Sequence, residues 1–333
     1  MAFKIVIVGC GSIAWRGHGP ACRAYAQRHP DVELAACVDP DRERAESFRE
    51  AFGFGRAYTD LDAALETEKP DAVCLLVPYR FTADLAEQIL NKGYPLLTEK
   101  PPGMTREETL RLIAAARRSG VPHQVAWNRR HMPVVTEAKR WLDEQAPAGR
   151  LHHIRYDLHR VDRVGSDASI TMVHGIDTVK YWVGSDYKQV RFRYQPIEHH
   201  GARETNIYME CEFESGVWAH IHYFPLAGAV LERAVIDAAG HTMVIQLPFW
   251  TSKDSPGSIQ HLSGNEHAPV LGGDELGGSG EEYVANGFLQ ENASFFDHLR
   301  AGIHPPESLA SSLQQVEIAE AIRLWLPVYQ APS

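Results

Sequence analysis

Unbroken apolar runs and amphipathic stretches alternate through the first 126 residues. Phe3-Lys4-Ile5-Val6-Ile7-Val8, Val32-Glu33-Leu34-Ala35-Ala36-Cys37-Val38, Ala72-Val73-Cys74-Leu75-Leu76-Val77, Pro95-Leu96-Leu97-Thr98 and Gln124-Val125-Ala126-Trp127 show little polar alternation. Such runs predict strands buried on both faces, as in a parallel sheet. Helices are predicted over 21–28, 41–52, 61–66, 82–92 and 107–119. Gly17, Gly19 and Pro20 interrupt the first of these, so the turn before it is expected to loosen and the helix to restart at Pro20. Strands and helices in this rhythm indicate right-handed βαβ units and a doubly wound sheet.

Beyond about Pro133 the rhythm changes. A connecting helix is predicted over 134–142, a strand over 151–161, and then a helix carrying His174, Ile176, Asp177 and Tyr181. Strands follow at 190–194, 207–213, 217–224, 233–239 and 242–247 without intervening helices, which predicts an antiparallel sheet. Ser215-Gly216 reads as a two-residue hairpin turn. That register puts Met209, Cys211, Phe213, Trp218, His220 and His222 on one face, and Tyr208, Glu210, Glu212, Ala219, Ile221 and Tyr223 on the other. Both faces then carry large apolar groups, and an interface between copies is expected there. The stretch 251–280, rich in glycine, serine and histidine, reads as a lid, a subunit-crossing arm or a partly disordered segment. Amphipathic helices are predicted over 286–301 and 308–326, the second capped by Ser308.

The expected architecture is α/β: a doubly wound parallel sheet over 1–126, then an α+β domain over 127–333 with an open-faced, mainly antiparallel sheet. The helix 308–326 is a candidate to pack back on the first domain. At 333 residues two domains are the prior. A net charge of -10 argues against nucleic-acid binding, and no apolar run approaches a membrane span. The first residues lack the layout of a signal peptide, and the five scattered cysteines fit free thiols in a reducing compartment, so the cytoplasm is expected.

The first strand runs into Gly9-Cys10-Gly11-Ser12-Ile13-Ala14. Gly9 would permit a tight turn, Gly11 would let the backbone approach a pyrophosphate, and Ala14 would keep helix and strand close. The second strand ends in Asp39, an acid placed where a ribose needs an acceptor; such an acid favours NAD over NADP, with Arg42 near enough to soften the repulsion of an extra phosphate. Strand ends at Val77-Pro78, Glu99-Lys100 and Trp127 project toward the same crevice, so these residues join Gly9, Gly11, Ser12, Ile13, Asp39 and Arg42 as candidate cofactor contacts. Lys100 is a candidate to hold a substrate hydroxyl and lower its pKa by its positive charge. His174 and Asp177 share a helix face, where the carboxylate would fix the imidazole tautomer and the imidazole would accept a proton as hydride leaves. His220 and His222 alternate down one strand face, but no third ligand can be named, and no metal is expected.

The combination of Gly9-Cys10-Gly11-Ser12-Ile13-Ala14, Glu99-Lys100-Pro101, Trp127-Asn128-Arg129-Arg130 and His174-Gly175-Ile176-Asp177 resembles the glucose–fructose oxidoreductase / inositol dehydrogenase family, Gfo/Idh/MocA. The resemblance implies an N-terminal Rossmann domain and a C-terminal open sheet that joins copies into a homodimer or homotetramer. It also implies NAD(P)-dependent oxidation or reduction of a sugar, cyclitol or related carbonyl compound. By the same likeness Lys100 orients substrate, His174 transfers the proton, and Arg129 and Thr171 fall among the substrate contacts. Asn128, Asp157 and Asp177 complete the candidate substrate set, and the bond before Pro101 is a candidate cis peptide. One position departs from the pattern: the family's usual aspartate four residues before the histidine is Ile170 here, with Asp167 or Asp157 as candidate substitutes. That departure sustains a second reading, a catalytically silent dinucleotide sensor; retention of Lys100 and His174 argues for the enzyme. The dehydrogenase reading depends on one crevice gathering the glycine turn, Lys100 and His174.

Overall fold

A computed structural model describes residues 2–145, 151–199 and 202–332. His200, one of the histidines in the sequence, lies outside the described residues. The chain forms two compact units, one of Met1–Asn128 with Phe288–Val316, the other of Arg129–Gly287 with Glu317–Ser333. The first unit therefore reclaims a later stretch that begins at Phe288, well before 308.

In the first unit the apolar runs become strands β1 (Phe3–Val8), β2 (Val32–Val38), β4 (Ala72–Leu75), β5 (Leu96–Glu99) and β6 (His123–Ala126), joined by β3 (Arg56–Tyr58), a strand the sequence reading treats as a connection. They form one sheet in the order β3-β2-β1-β4-β5-β6, with every pairing parallel. This is the doubly wound order that reverses between β1 and β4. Helices α1 (Gly19–Arg28), α2 (Arg42–Phe52), α3 (Leu61–Glu68), α4 (Tyr79–Asn91) and α5 (Arg106–Ser119) connect them. Three have side-chain caps: Asp41 accepts from Arg44 N, Asp60 from Ala63 N and Thr105 from Glu108 N.

The first helix does not loosen at its glycines. The residues Ala14–His18 form a π-helical turn, closed by Gly19 N–H on Ala14 O, that continues directly into α1, with Pro20 as the second residue of α1. Gly17 is required there, because a Cβ would stand 2.7 Å from the Phe288 ring.

The second unit opens with α6 (Pro133–Gln145), followed by β7 (Leu151–His159) and α7 (Ala168–Val183). A run of strands follows: β8 (Tyr187–His199), β9 (Ala202–Phe213), β10 (Trp218–Phe224), β11 (Leu231–Ala238), β12 (His241–Leu247), β13 (Ser258–Ser263), β14 (Glu266–His267) and β15 (Leu271–Gly272). After the short helices α8 (Gly273–Gly277) and α9 (Glu282–Ala285), α10 (Phe288–Arg300) belongs to the first unit, and α11 (Leu313–Arg323), which begins there, leads to the last strand of the second, β16 (Val328–Gln330). The sheet runs β14-β13-β12-β11-β7-β10-β9-β8-β16, with β15 on β13, and is antiparallel except where β10 lies parallel to β7. Its buried face carries Ile154, Tyr156, Leu158, Met209, Cys211, Ala219, Ile221 and Ile236. Helix α7 packs on that face: a Cβ at Gly175 would meet Leu158, Tyr156 and Ile221 at 3.1–3.3 Å.

Three readings are corrected. The β9–β10 connection is a three-residue loop, with Phe213 N bonded to Val217 O and Gly216 at φ +84°. That is the turn-plus-left-handed-glycine hairpin, not a two-residue turn. The register moves by one residue, which exchanges the faces of β10. Ala219 and Ile221 now oppose Cys211 and Met209, while His220 and His222 oppose Glu210 and Tyr208. The sheet thus has one apolar face and one polar, aromatic face. The stretch 251–280 is ordered: β13 extends the sheet, and Asp254 accepts from Arg233 Nε and Nη2 at 2.8 and 3.0 Å. Ser308 caps a separate turn through Ser311 N, and α11 starts five residues later. Among the described residues no helix is long and apolar enough to cross a membrane.

Candidate active site

In the first unit, the carboxyl ends of β1, β2, β4 and β5 bring the candidate residues to one edge of the sheet, the side on which open α/β sheets bind ligands. Gly9 leaves β1 at φ +97°, and a Cβ there would stand 2.5 Å from Leu76 O and 3.1 Å from the Val77 side chain. Only glycine fits. At Gly11, by contrast, a Cβ would meet nothing within 4 Å, so the backbone faces open space as Ser12 and Ile13 begin the helix. Helix-start N–H groups facing an open glycine form an anion cradle, and the residues present fit a pyrophosphate.

Asp39 is buried at the end of β2. Its Oδ2 accepts from Cys10 N at 2.9 Å and its Oδ1 from Asp41 N at 3.0 Å, tying the acid to the glycine turn. The cation beside it is Arg44, with Nη1 at 3.2 Å, rather than the expected Arg42. One turn of α2 reaches back to the strand end from its third residue, whereas Arg42 lines a separate cleft of about 230 Å³ with Ala57, Tyr58 and Asp60. Cys10 is buried, and hydrogen bonding with Cys37, then burial, pushes its thiol up, away from the thiolate form.

Val77 packs at the glycine turn, and Pro78 opens α4. Glu99 ends β5, its Oε2 accepting from Lys100 N at 3.1 Å, and the Lys100–Pro101 peptide is cis. Trp127 differs from expectation. Its indole is 1% exposed and donates to Ser312 Oγ at 2.9 Å, so its side chain belongs to the packing. Asn128 is buried and begins the 3-10 turn Asn128–His131.

In the second unit, Thr171 and His174 lie three residues apart on α7, both partly buried, with Ile170 beside them. Asp177 is buried, and both its oxygens are held by Arg130, from Nε at 2.9 Å and Nη2 at 2.6 Å. Its ion pair is therefore with Arg130, a bidentate contact. Asp167 caps α7 by accepting from Ser169 N. Asp157 is no substitute acid for α7. It projects from the opposite face of β7, where it pairs with His222 Nδ1 at 2.8 Å and Arg155 Nε at 2.9 Å.

Arg129 is committed to an ion pair inside the second unit. It is buried and donates through Nε and Nη2 to Glu232, which also accepts from Tyr156 OH and from Arg160 Nη2, each at 2.5 Å. Burial raises the Glu232 carboxyl, but Arg129 and Arg160 outweigh it and bring it down to about 2. Sequence reasoning missed Glu232, though its signal was present: in β11 the acid shares its parity with Ala234 and Ile236, and an acid on a core face requires partners. His220 lies 2.9 Å from His153. Among the described residues no group of three acids, histidines or cysteines is placed to hold a metal.

The first unit is a Rossmann dinucleotide-binding domain, and the second an α+β unit on a large open sheet. Residues 3–127 match the family model GFO_IDH_MocA, "Oxidoreductase family, NAD-binding Rossmann fold". The chain is similar to inositol 2-dehydrogenase of Corynebacterium glutamicum, 30% identical over 226 residues, which is 65% of each chain. It is also similar to D-apiose dehydrogenase of Paraburkholderia graminis, 32% identical over 43% of this chain and 37% of the relative. The chain thus aligns with just under two thirds of the inositol relative's length. Levoglucosan dehydrogenase, solved with NADH and L-sorbose, shares the fold over 100% of both chains at TM-score 0.84 and 19% identity. Over residues 3–127 the chain thus carries the NAD-binding Rossmann domain of the Gfo/Idh/MocA oxidoreductase family, and its likeness to the inositol relative extends beyond that domain.

Proposed function

We propose that this protein is an NAD-dependent dehydrogenase or reductase acting on a CH–OH group of a sugar, cyclitol or related compound. The observation that carries the reading is the meeting of the Gly9–Gly11 cradle, buried Asp39 and Lys100 at one carboxyl edge of one sheet. The names of the inositol and apiose relatives support the substrate class.

Bound nicotinamide supplies the hydride acceptor or donor. Gly11, Ser12 and Ile13 would hold the pyrophosphate, Asp39 the ribose hydroxyls, and Val77, Pro78 and Glu99 the neighbouring wall. The Lys100 ammonium holds the substrate oxygen and stabilises its alkoxide character. His174 takes the hydroxyl proton in oxidation and returns it in reduction, and Thr171 and Asn128 bind further hydroxyls. Asp39 favours NAD, since its carboxylate repels a 2′-phosphate.

Copies associate as a dimer or tetramer through the open sheet face, where Trp218 and Val244 stand exposed among Arg155, His220 and Glu210. Light scattering on the wild type and on Trp218→Glu reads this: the variant should fall to monomer, and an unchanged mass would place the interface elsewhere. Incubation with NAD and a panel of sugars and polyols, followed at the reduced-nicotinamide absorbance band, tests the activity.

A further inference from the structure

The π-helical turn delivers a buried histidine to the strand end that carries Lys100. His18 is 0% exposed, and its ring packs edge-on against Phe288. Its Nε2 lies 3.1 Å from Glu99 Oε1, and its Nδ1 lies within 3.0–3.2 Å of the Asn292 amide. The Asn292 amide is itself oriented, because its nitrogen donates to Phe288 O at 2.8 Å and its oxygen accepts from the Cys22 thiol. The second amide hydrogen then faces His18 Nδ1 at 3.0 Å, closer than the amide oxygen at 3.2 Å, which favours Nδ1 as acceptor. In that tautomer Nε2 carries the proton and donates to Glu99.

Glu99 is held at both oxygens, by His18 on Oε1 and by the Lys100 main-chain N–H on Oε2. This runs as one chain of bonds inside the first unit: Asn292, His18, Glu99, Lys100. The π-turn is what permits it. An extra residue in the turn brings His18 inward, and Gly17 admits the close approach of α10, from which Asn292 comes.

We propose that His18 is a positioning residue: its Nε2–H fixes the Glu99 carboxylate, which in turn fixes the backbone of Lys100 at the end of β5. The proposal rests on the reading of Lys100 as the substrate-holding lysine, and its test separates the two. Nitrogen-15 spectra of the full-length protein, with the His18 signals assigned by their loss in His18→Gln, read the tautomer without any turnover. An Nε2-protonated ring whose signals move in Glu99→Gln supports the arrangement; an Nδ1-protonated ring overturns it, whether or not a substrate is found.

Turnover supplies the second arm. His18→Gln keeps a donor near the Nε2 position and should retain kcat within about threefold, while His18→Leu should lower kcat roughly 10-fold or more with NADH affinity unchanged. Because His18 acts through Glu99, His18→Leu combined with Glu99→Gln should be no slower than Glu99→Gln alone. Additive losses, or a His18→Leu enzyme with wild-type kcat, overturn the proposal. If His18→Leu does not fold, the comparison of His18→Gln with Glu99→Gln and the tautomer measurement decide.

Discussion

Asp157 and His222 join neighbouring strands on the face of the sheet turned away from α7, their Oδ1 and Nδ1 atoms 2.8 Å apart. Tyr156 and Leu158, the flanking residues of Asp157, project to the side on which α7 and His174 lie. Alternation along a strand separates the two sites. Burial raises the Asp157 carboxyl, yet the bonds from His222 and Arg155 leave it below its ordinary value. Asp157→Asn should leave turnover within about twofold and cost about 1 kcal/mol of stability at pH 7. A depressed carboxyl stabilises above its unfolded pKa and loses that contribution as pH falls through the folded value, so the difference in urea midpoint should close on acidification. A large fall in kcat would return Asp157 to the site.

Glu232 should dominate the acid limb of stability. Its carboxyl drops from 4.5 to about 2 on folding, so its contribution is present above about 4.5 and is lost as pH falls toward 2. Glu232→Gln leaves Arg129 and Arg160 buried without their counter-charge and should cost about 3–5 kcal/mol at neutral pH. Urea unfolding of both proteins at pH 7 and pH 3 measures it, and a cost that persists unchanged at the lower pH would argue against the charge account.

Gly9 and Gly11 should fail differently. Gly9→Ala forces a Cβ to within 2.5 Å of Leu76 O at a left-handed φ, so it should destabilise the fold. Gly11→Ala meets only open space in the free protein, so it should melt as the wild type does yet bind NADH at least about 10-fold more weakly. Calorimetry paired with NADH fluorescence separates the cases, and tight NADH binding by Gly11→Ala would move the cradle.

Arg44 should control the NADP response. Its guanidinium lies against Asp39 and is half exposed. Removing the acid in Asp39→Ser frees it to meet a 2′-phosphate, so NADPH affinity should rise about 10-fold, and the added Arg44→Ser change should abolish the gain. An unaltered preference in Asp39→Ser would show that the ribose acceptor lies elsewhere.

The parallel sheet was legible because its strands are buried on both faces and so read as unbroken apolar runs. The glycine turn was legible because Gly9 is forced by its φ. The β9–β10 faces were not, since Glu214-Ser215-Gly216 closes as well by three residues as by two, and one residue decides every side chain. Arg44 was missed for Arg42 because helical phase at α2, not distance along the chain, selects the residue facing Asp39. The ion pair of Arg129 was not legible, because its acid, Glu232, lies 103 residues away in the chain. The 251–280 stretch read as irregular because β13 is an edge extension with only Ile259 buried among its six residues.

The most direct test of the account is the rate of NAD reduction by the wild type, Lys100→Met and His174→Asn across sugars and polyols. The account predicts turnover of at least one such compound, reduced at least about 10²-fold in each variant with NADH affinity retained. Tight NADH binding with no turnover of any compound, or a Lys100→Met protein as active as the wild type, would contradict it.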